Sequence, residues 1–223
     1  IFFSDLASKY PNSPICLFSS IAEGADRFVA KIFLDLKHGN ENLKERFDLI
    51  VPTPFHDDEY KKDFDEASKL DFEALLRQSK RSFCIGCDDK EASRPNQYLK
   101  AGKFVADSSI ILIALWDGEE GKTGGTADIV RHKITGDNDN VAESTFEYDG
   151  TVFIMPSGRV SSSANVSPGS DQILSLDNVL KDSAIKKALE KIEEINTESL
   201  KIDPSKYEKS SADLFNSPEK LDS

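Results

Sequence analysis

Short, mainly apolar runs alternate with amphipathic stretches through residues 15–155. The apolar runs lie at residues 15–18, 47–51, 109–116 and 151–155. Runs of this kind are typical of strands that are buried on both faces, as in a parallel sheet. Between them, apolar residues recur at helical spacing, at residues 26–36, 57–80, 98–105 and 126–132. This alternation predicts an α/β fold with an open, mostly parallel sheet and helices on both faces.

The segments before and between these elements are less regular. Residues 1–10 have the pattern of the end of a helix that begins upstream, and residues 81–93 are polar and irregular. The pattern therefore predicts four strands. Because an open sheet of this kind usually has more, we expect at least one further strand upstream of Ile1.

The composition changes after Met155. Residues 157–171 are rich in Ser and lack periodicity, which is typical of a linker. A short amphipathic helix is predicted at 185–195, within an otherwise polar tail. We therefore predict one domain at residues 1–156, followed by a polar, partly disordered linker with a short helix at 157–223.

The charge balance excludes some classes of partner. The chain has 28 Lys and Arg residues against 40 Asp and Glu residues, a net charge of −12. Nucleic acids and anionic membrane surfaces are bound mainly through Lys and Arg, so we expect neither as a partner of this segment. The longest apolar run, 110–116, is far shorter than the roughly 20 residues of a membrane-spanning helix.

The cysteines bear on the cellular compartment. Three cysteines are too few for a disulfide framework and favour a reducing compartment. We predict a cytoplasmic location, or the cytoplasmic face of a membrane-anchored protein. Cys84 and Cys87 form a lone CxxC without a second pair, and we expect two spectator thiols there. Residues 56–59 (HDDE) are read as a solvated helix start, so the prediction is no metal site and no cofactor.

Two loops follow predicted strands at their carboxyl ends, where open α/β sheets bind ligands. The first loop precedes the helix at 26–36, and a helix N-terminus favours anions. Its candidate ligand-binding residues are Ser19, Ser20, Gly24 and Asp26. The alternative is that Ser20 and Asp26 only cap the helix.

The second loop leads from the strand at 109–116 into the helix at 126–132. Its glycines would let the backbone approach a phosphate closely, although the spacing matches neither a P-loop nor GxGxxG. The candidate ligand-binding residues are Asp117, Gly118, Gly124, Gly125 and Thr126. The alternative here is a plain turn.

An ordered set of motifs over residues 15–155 resembles the SLOG superfamily, which is named for the Smf/DprA and LOG proteins. The segment LFSSIAEGADRFVA at 17–30 is similar to its S-x-L-A-E-G-A-D motif. Further similar pieces are IVPTPF (50–55), EYKKDF (59–64), FEALL (72–76), AGKFVADSSIILIALWDG (101–118) and GKTGGTADIV (121–130). The resemblance implies a Rossmann-like fold that senses nucleotides or nucleotide-derived sugar phosphates, or that cleaves the N-glycosidic bond of a nucleoside monophosphate.

The resemblance also implies roles for individual residues. Arg94 would add a positive fork for a phosphate, and Tyr98 a stacking or hydroxyl contact. Hydrolytic LOG proteins have a catalytic Glu three residues after a Gly-Thr pair, where this chain has Ile129. If the protein is an enzyme nevertheless, the candidate catalytic carboxylates are Glu23 and Asp128.

Two functions remain open from the sequence. The first is a module that binds or senses a nucleotide-derived small molecule, such as ADP-ribose or NAD, and passes the signal to a fused or partner effector. The alternative is a LOG-like N-glycosidic hydrolase. A homo-oligomer and a fused membrane or effector domain are compatible with the resemblance.

Overall fold

The computed structural model describes residues 2–87, 92–119, 121, 123–135, 151–157 and 174–199, and side chains up to residue 194. Residues 158–171 of the predicted linker and the tail at 200–223 lie outside this part of the chain. The chain divides into two compact units, residues 1–188 and residues 189–223.

Two short parallel sheets form the centre of the first unit. One has three strands in the order β1-β2-β3, and the other pairs β4 with β5. The strands are β1 (Ile15–Phe18), β2 (Phe47–Thr53), β3 (Arg81–Cys84), β4 (Leu112–Trp116) and β5 (Val152–Pro156). The predicted α/β class with parallel strands is therefore confirmed.

The third strand corrects the sequence analysis. Residues 81–93 were expected to be irregular, yet β3 pairs in parallel with β2, so the predicted count of four strands was wrong. The pattern did not show this strand because Arg81 and Ser82 are exposed, and only Phe83 and Cys84 are partly buried. An edge strand that is half polar has no apolar run to mark it.

The described helices mostly lie where the periodicity predicts them. They are α1 (Phe2–Lys9), α2 (Ala25–Gly39), α3 (Glu41–Lys44), α4 (Asp57–Tyr60), α5 (Glu66–Gln78), α6 (Arg94–Asp107), α7 (Thr126–Thr135), α8 (Leu176–Val179) and α9 (Ser183–Ser199). The single helix expected at 57–80 is in fact α4, a 3-10 turn (Lys61–Asp63) and α5. The break falls at Phe64, which is extended, and Asp65 then caps α5 by accepting from the Ser68 N–H at 2.7 Å.

The strand β2 lies at the centre of the core. Phe47, Leu49 and Val51 have no exposed surface, and Phe33 of α2 stacks on Phe47 at 4.6 Å. A separate cluster forms around β4 and β5, with Val130 of α7 packed into it. None of the described helices has the length and apolar character to cross a membrane.

The helix α7 holds the C-terminal end of α6. Lys133 is buried and donates hydrogen bonds of 2.8 Å to the carbonyls of Ala106 and Ser109. The Nε2 atom of the buried His132 lies 2.7 Å from Asp107 Oδ1. These contacts satisfy carbonyls at the end of α6 and fix the two helices to each other.

Candidate functional site

The loop after β1 contains an unusual backbone conformation. Ile21 is fully buried and has a φ of 46°, the left-handed region that a β-branched residue rarely adopts. Two hydrogen bonds hold it there. The Ile21 N–H donates to Ser19 Oγ at 3.1 Å, and Arg27 Nε donates to the Ile21 carbonyl at 2.8 Å. Strain that the surrounding structure enforces in this way is concentrated at functional sites.

Arg27 anchors this loop from the first turns of α2. Its guanidinium is buried between the loop and α5, donates to the Ser68 carbonyl at 2.8 Å and to the Ser68 hydroxyl, and lies 4.2 Å from the Phe64 ring centre. Its Nη2 has no hydrogen-bond partner among the described residues. The sequence analysis did not identify Arg27, although it directly follows the AEGAD motif.

Ser19 and Asp26 act within the loop. Ser19 is buried, and its hydroxyl also hydrogen-bonds to the Asp26 carboxyl group. Burial raises the pKa of Asp26, while hydrogen bonds from the Ala22 backbone and from Ser19 oppose this shift, as does the charge of Arg27. These two predicted ligand-binding residues therefore shape the loop.

The start of α2 is open. Its N-cap residue is Gly24, with a φ of 92°, and no side chain in the described part of the chain caps the helix, so the alternative in which Ser20 or Asp26 caps it was wrong. Gly24 and Glu23 are exposed. The Ser20 carbonyl accepts a hydrogen bond of 3.3 Å from the buried Tyr60 hydroxyl. Among the described residues, the first-turn N–H groups of α2 thus have no side-chain acceptor.

Arg94 lies at the start of α6 in a cluster of acidic and aromatic side chains. Its guanidinium pairs with Glu59 at 2.8 Å and with Asp63 at 2.6 Å, and it covers the Phe55 ring at 4.1 Å. The pKa of Glu59 is lowered by hydrogen bonds from Lys62 and Arg94. A phosphate at Arg94 would therefore compete with two carboxylates.

Tyr98 connects this cluster with both predicted loops. Its hydroxyl donates to Asp63, and its ring centre lies 6.1 Å from that of Tyr60, which reaches the loop after β1. Burial, and then the bond to Asp63, raises the pKa of Tyr98. On its other side, a Cβ atom at Gly124 would lie 3.1 Å from Tyr98 Cβ. The structure thus brings three predicted segments together around the first turns of α6.

The glycine loop packs against α6. Gly124 has a φ of 81°, and a Cβ atom there would lie 2.7 Å from the Pro95 carbonyl oxygen and 2.8 Å from the Leu99 nitrogen. The Gly124 N–H donates to Asp128 Oδ2 at 2.9 Å. A glycine is therefore required at position 124, because two backbones approach each other closely there. Its N–H already donates a hydrogen bond to Asp128. Gly125 is partly buried and Thr126 is exposed.

Ile129 and Asp128 have structural contacts. A Cβ atom at Gly102 of α6 would lie 2.7 Å from Ile129 Cγ1, so Ile129 fills the space that the glycine leaves between α6 and α7. Asp128 pairs with Arg131 at 3.2 Å besides accepting from Gly124. The first turn of α7 therefore contains a packing residue where hydrolytic LOG proteins have a carboxylate.

Asp117 and Gly118 form a local turn after β4. Asp117 Oδ1 accepts from the Glu119 N–H at 3.1 Å, and Gly118 has a φ of 82°. The Trp116 ring nitrogen donates to the Glu119 carbonyl at 2.9 Å.

Cys84 and Cys87 are joined by a disulfide, with their Cα atoms 5.8 Å apart, so the expectation of two spectator thiols was wrong. His56 lies beside them. Sequence spacing had not connected these three residues, because His56 is 28 positions before Cys84.

Comparison with known proteins adds no family. No protein-family model matches the chain, and no curated protein matches it. The SLOG resemblance therefore rests on the motifs alone and stays a prediction.

Proposed function

We propose that the protein binds a nucleotide or a nucleotide-derived sugar phosphate, and that the two parallel sheets belong to one Rossmann-like fold. The ligand occupies the carboxyl end of β1, between the open N-terminus of α2 and the first turns of α6. The enforced left-handed conformation of Ile21 is the observation that carries this proposal, because a loop with no task would not keep such strain.

The neighbouring contacts support an anionic ligand at the start of α2. Gly24 leaves the first-turn N–H groups without a side-chain acceptor from the residues that the structure describes, and it has no side chain of its own in the way. A phosphate gains from these groups and from the helix dipole. Arg94 reaches the same ligand by exchanging Glu59 or Asp63 for a phosphate oxygen.

Binding without hydrolysis is favoured over the LOG-like alternative. Ile129 occupies the position of the catalytic Glu and is committed to Gly102, and Asp128 is committed to Gly124. Glu23 is left as the candidate catalytic carboxylate. It is exposed, and the motif provides no second catalytic group beside it. We therefore propose a sensor, whose occupied state is passed to a fused or partner effector.

Thermal-shift titration tests this function, with AMP, ADP-ribose, cyclic ADP-ribose and NAD, each followed by chromatography of the nucleotide. A ligand at 100 times its dissociation constant adds about 2.7 kcal/mol of stability. We expect stabilisation by one of the four, with the nucleotide recovered intact.

Three substitutions test where the nucleotide binds. Ser20→Asp adds a carboxylate beside the start of α2, and Arg94→Gln removes the guanidinium, so each should weaken binding. Arg81→Gln removes an exposed arginine of β3 and should leave it unchanged. No stabilisation by any of the four nucleotides would contradict the proposal, and release of free base would replace it with the hydrolase.

A further inference from the structure

We propose that His56, Cys84 and Cys87 bind one Zn²⁺ ion when the disulfide between the two cysteines is reduced. The donor atoms of the three side chains all lie within 4.8 Å of one another. Thiolate sulfur and imidazole nitrogen are the ligands that zinc prefers in proteins. This inference is independent of the nucleotide site.

The distances fit a tetrahedral ion. Zinc binds sulfur at about 2.3 Å and histidine nitrogen at about 2.0–2.1 Å, which places two tetrahedral ligand atoms about 3.8 Å apart. The three donor atoms all lie within 4.8 Å of one another, and reduction of the disulfide frees the two sulfurs to separate toward this spacing. Cys84 and Cys87 are half-buried, and His56 is exposed and can turn toward them.

The fold fixes the backbone that carries the two sulfurs. Cys84 ends β3, and the next N–H, of Ile85, donates to the Thr53 carbonyl of β2 at 2.8 Å. Gly86 has a φ of 69° and turns the chain back, and its carbonyl accepts from Gln97 Nε2 of α6 at 2.9 Å. The CxxC turn is thus tied on one side to the sheet and on the other to a helix.

The backbone of His56 is fixed as well. It precedes α4 as the N-cap residue, and its carbonyl accepts hydrogen bonds of 2.9 Å from the N–H groups of Glu59 and Tyr60. Two separate segments therefore hold the three ligands at the carboxyl ends of β2 and β3. A preformed arrangement lowers the ordering cost of binding a metal.

The chemistry couples the ion to the redox state. A dithiol reductant supplies two electrons and two protons to the disulfide and becomes a disulfide itself, and two thiols result. Zn²⁺ then displaces one proton from each thiol and takes the neutral His56 nitrogen as the third ligand. Water completes the four-coordinate shell, since three protein ligands leave one position open.

Zinc titration of the reduced, anaerobic 223-residue chain tests the site. We expect one zinc per chain, and none in the oxidised chain. Cys84→Ser and Cys87→Ser should abolish tight binding. His56→Asn should weaken it at least about tenfold, because even the loss of a partner outside the ligand shell costs 10–100-fold.

The chain offers matched controls. Cys16→Ser removes an exposed free thiol and His38→Asn an exposed histidine, and both variants should keep wild-type zinc affinity. Co²⁺ gives a second readout, since a tetrahedral thiolate site shows intense visible bands and a sulfur-to-cobalt charge-transfer band. Circular dichroism of each variant separates loss of a ligand from loss of the fold.

Three results would overturn the proposal. The first is a reduced chain with three titratable thiols that binds no zinc. The second is unchanged affinity in His56→Asn, which would leave only two protein ligands. The third is a disulfide that resists the reductant, with Cys16 as the single titratable thiol, which would make the CxxC a structural bridge.

Discussion

Arg27 Nε donates a hydrogen bond of 2.8 Å to the carbonyl of Ile21, and this bond links the buried guanidinium of α2 to the strained loop after β1. The same guanidinium donates to the Ser68 carbonyl, so one side chain connects the loop with α5. Removing it leaves the buried Ile21 carbonyl without this donor, at a cost of about 1–3 kcal/mol, and also breaks the part-buried bond of the charged group to Ser68.

We therefore expect Arg27→Met to lower the free energy of unfolding by about 2–4 kcal/mol. Urea denaturation at neutral pH measures the change. Lys31→Met is the control, since it removes an exposed ion pair with Asp71 that is worth about 0–1 kcal/mol. Equal effects of the two substitutions would show that Arg27 does not anchor the loop.

Asp26 predicts a pH dependence of stability. Burial raises its pKa in the folded state, so the folded chain holds this proton more tightly than the unfolded chain does. The stability that Asp26 contributes is fully present below the ordinary carboxyl pKa and is lost as pH rises through the raised value. At neutral pH, the charged form of this partly buried carboxyl group is therefore a cost to folding.

Asp26→Asn should consequently be more stable than the wild type at neutral pH, and the difference should disappear below about pH 3.9. Denaturation curves across this pH range measure the difference. Asp35→Asn, at an exposed position of the same helix, controls for the loss of one negative charge. A variant that follows the wild type at every pH would contradict the assignment.

The same residue bears on the proposed ligand. Protonation of Asp26 removes a negative charge from the first turn of α2, where the phosphate is proposed to bind. We expect affinity for an anionic nucleotide to rise as pH falls toward the Asp26 pKa, and Asp26→Asn to flatten this dependence. Isothermal titration of both chains at several pH values tests it, and an affinity profile that is equally steep in the variant would count against a phosphate at this helix.

The contact between Gly102 and Ile129 gives a prediction about packing. Gly102→Ala should destabilise the chain by about 1–3 kcal/mol, because the new methyl group overlaps Ile129. In an Ile129→Ala background the same substitution should be neutral or stabilising, since Ala is favoured over Gly in a helix by about 1 kcal/mol. A double-mutant cycle measures the coupling.

Gly39→Ala is the matched control for this cycle, because no atom of another described segment lies within 4 Å of the position that its Cβ would take. It should show no coupling to Ile129→Ala. If Gly102→Ala is equally destabilising in both backgrounds, the close approach of the two helices has another cause.

Substitution of Asp128 distinguishes a structural role of this residue from a catalytic role. Its carboxylate accepts a hydrogen bond from the Gly124 N–H, which lies just before α7. Such a bond from a side chain of the first turn back to the preceding backbone stabilises the start of a helix. We expect Asp128→Ala to lower stability by about 0.5–2 kcal/mol, and Asp177→Ala, in the first turn of α8, to have a smaller effect. An effect of Asp128→Ala on nucleotide turnover without an effect on stability would favour the hydrolase instead.

The elements that could be predicted from the sequence are those whose pattern is set locally. The runs at β1, β2, β4 and β5 are mainly apolar, and α2 and α6 have a clear helical period. The α/β class follows from their order. The strand β3 and the break at Phe64 depend on pairing and capping contacts, and no local period marks them.

Of the candidate site, only the two loops could be predicted from the sequence. The motif at 17–30 pointed to the loop after β1, and the glycines at 124 and 125 to the loop that packs against α6. Arg27 was missed because it donates a hydrogen bond to a backbone carbonyl. The spacing of residues in the sequence does not indicate such a contact. The proximity of His56 to Cys84 was missed for a similar reason, since parallel pairing of β2 with β3 creates it.

The helix α6 is held at both ends by different parts of the molecule. Arg94 and Tyr98 fix its first turns beside the proposed ligand, and Lys133 and His132 hold its last turn from α7. Its 14 residues span about 21 Å. An α-helix of this length is stiff along its axis, so α6 forms one rigid connection between the proposed ligand site and α7.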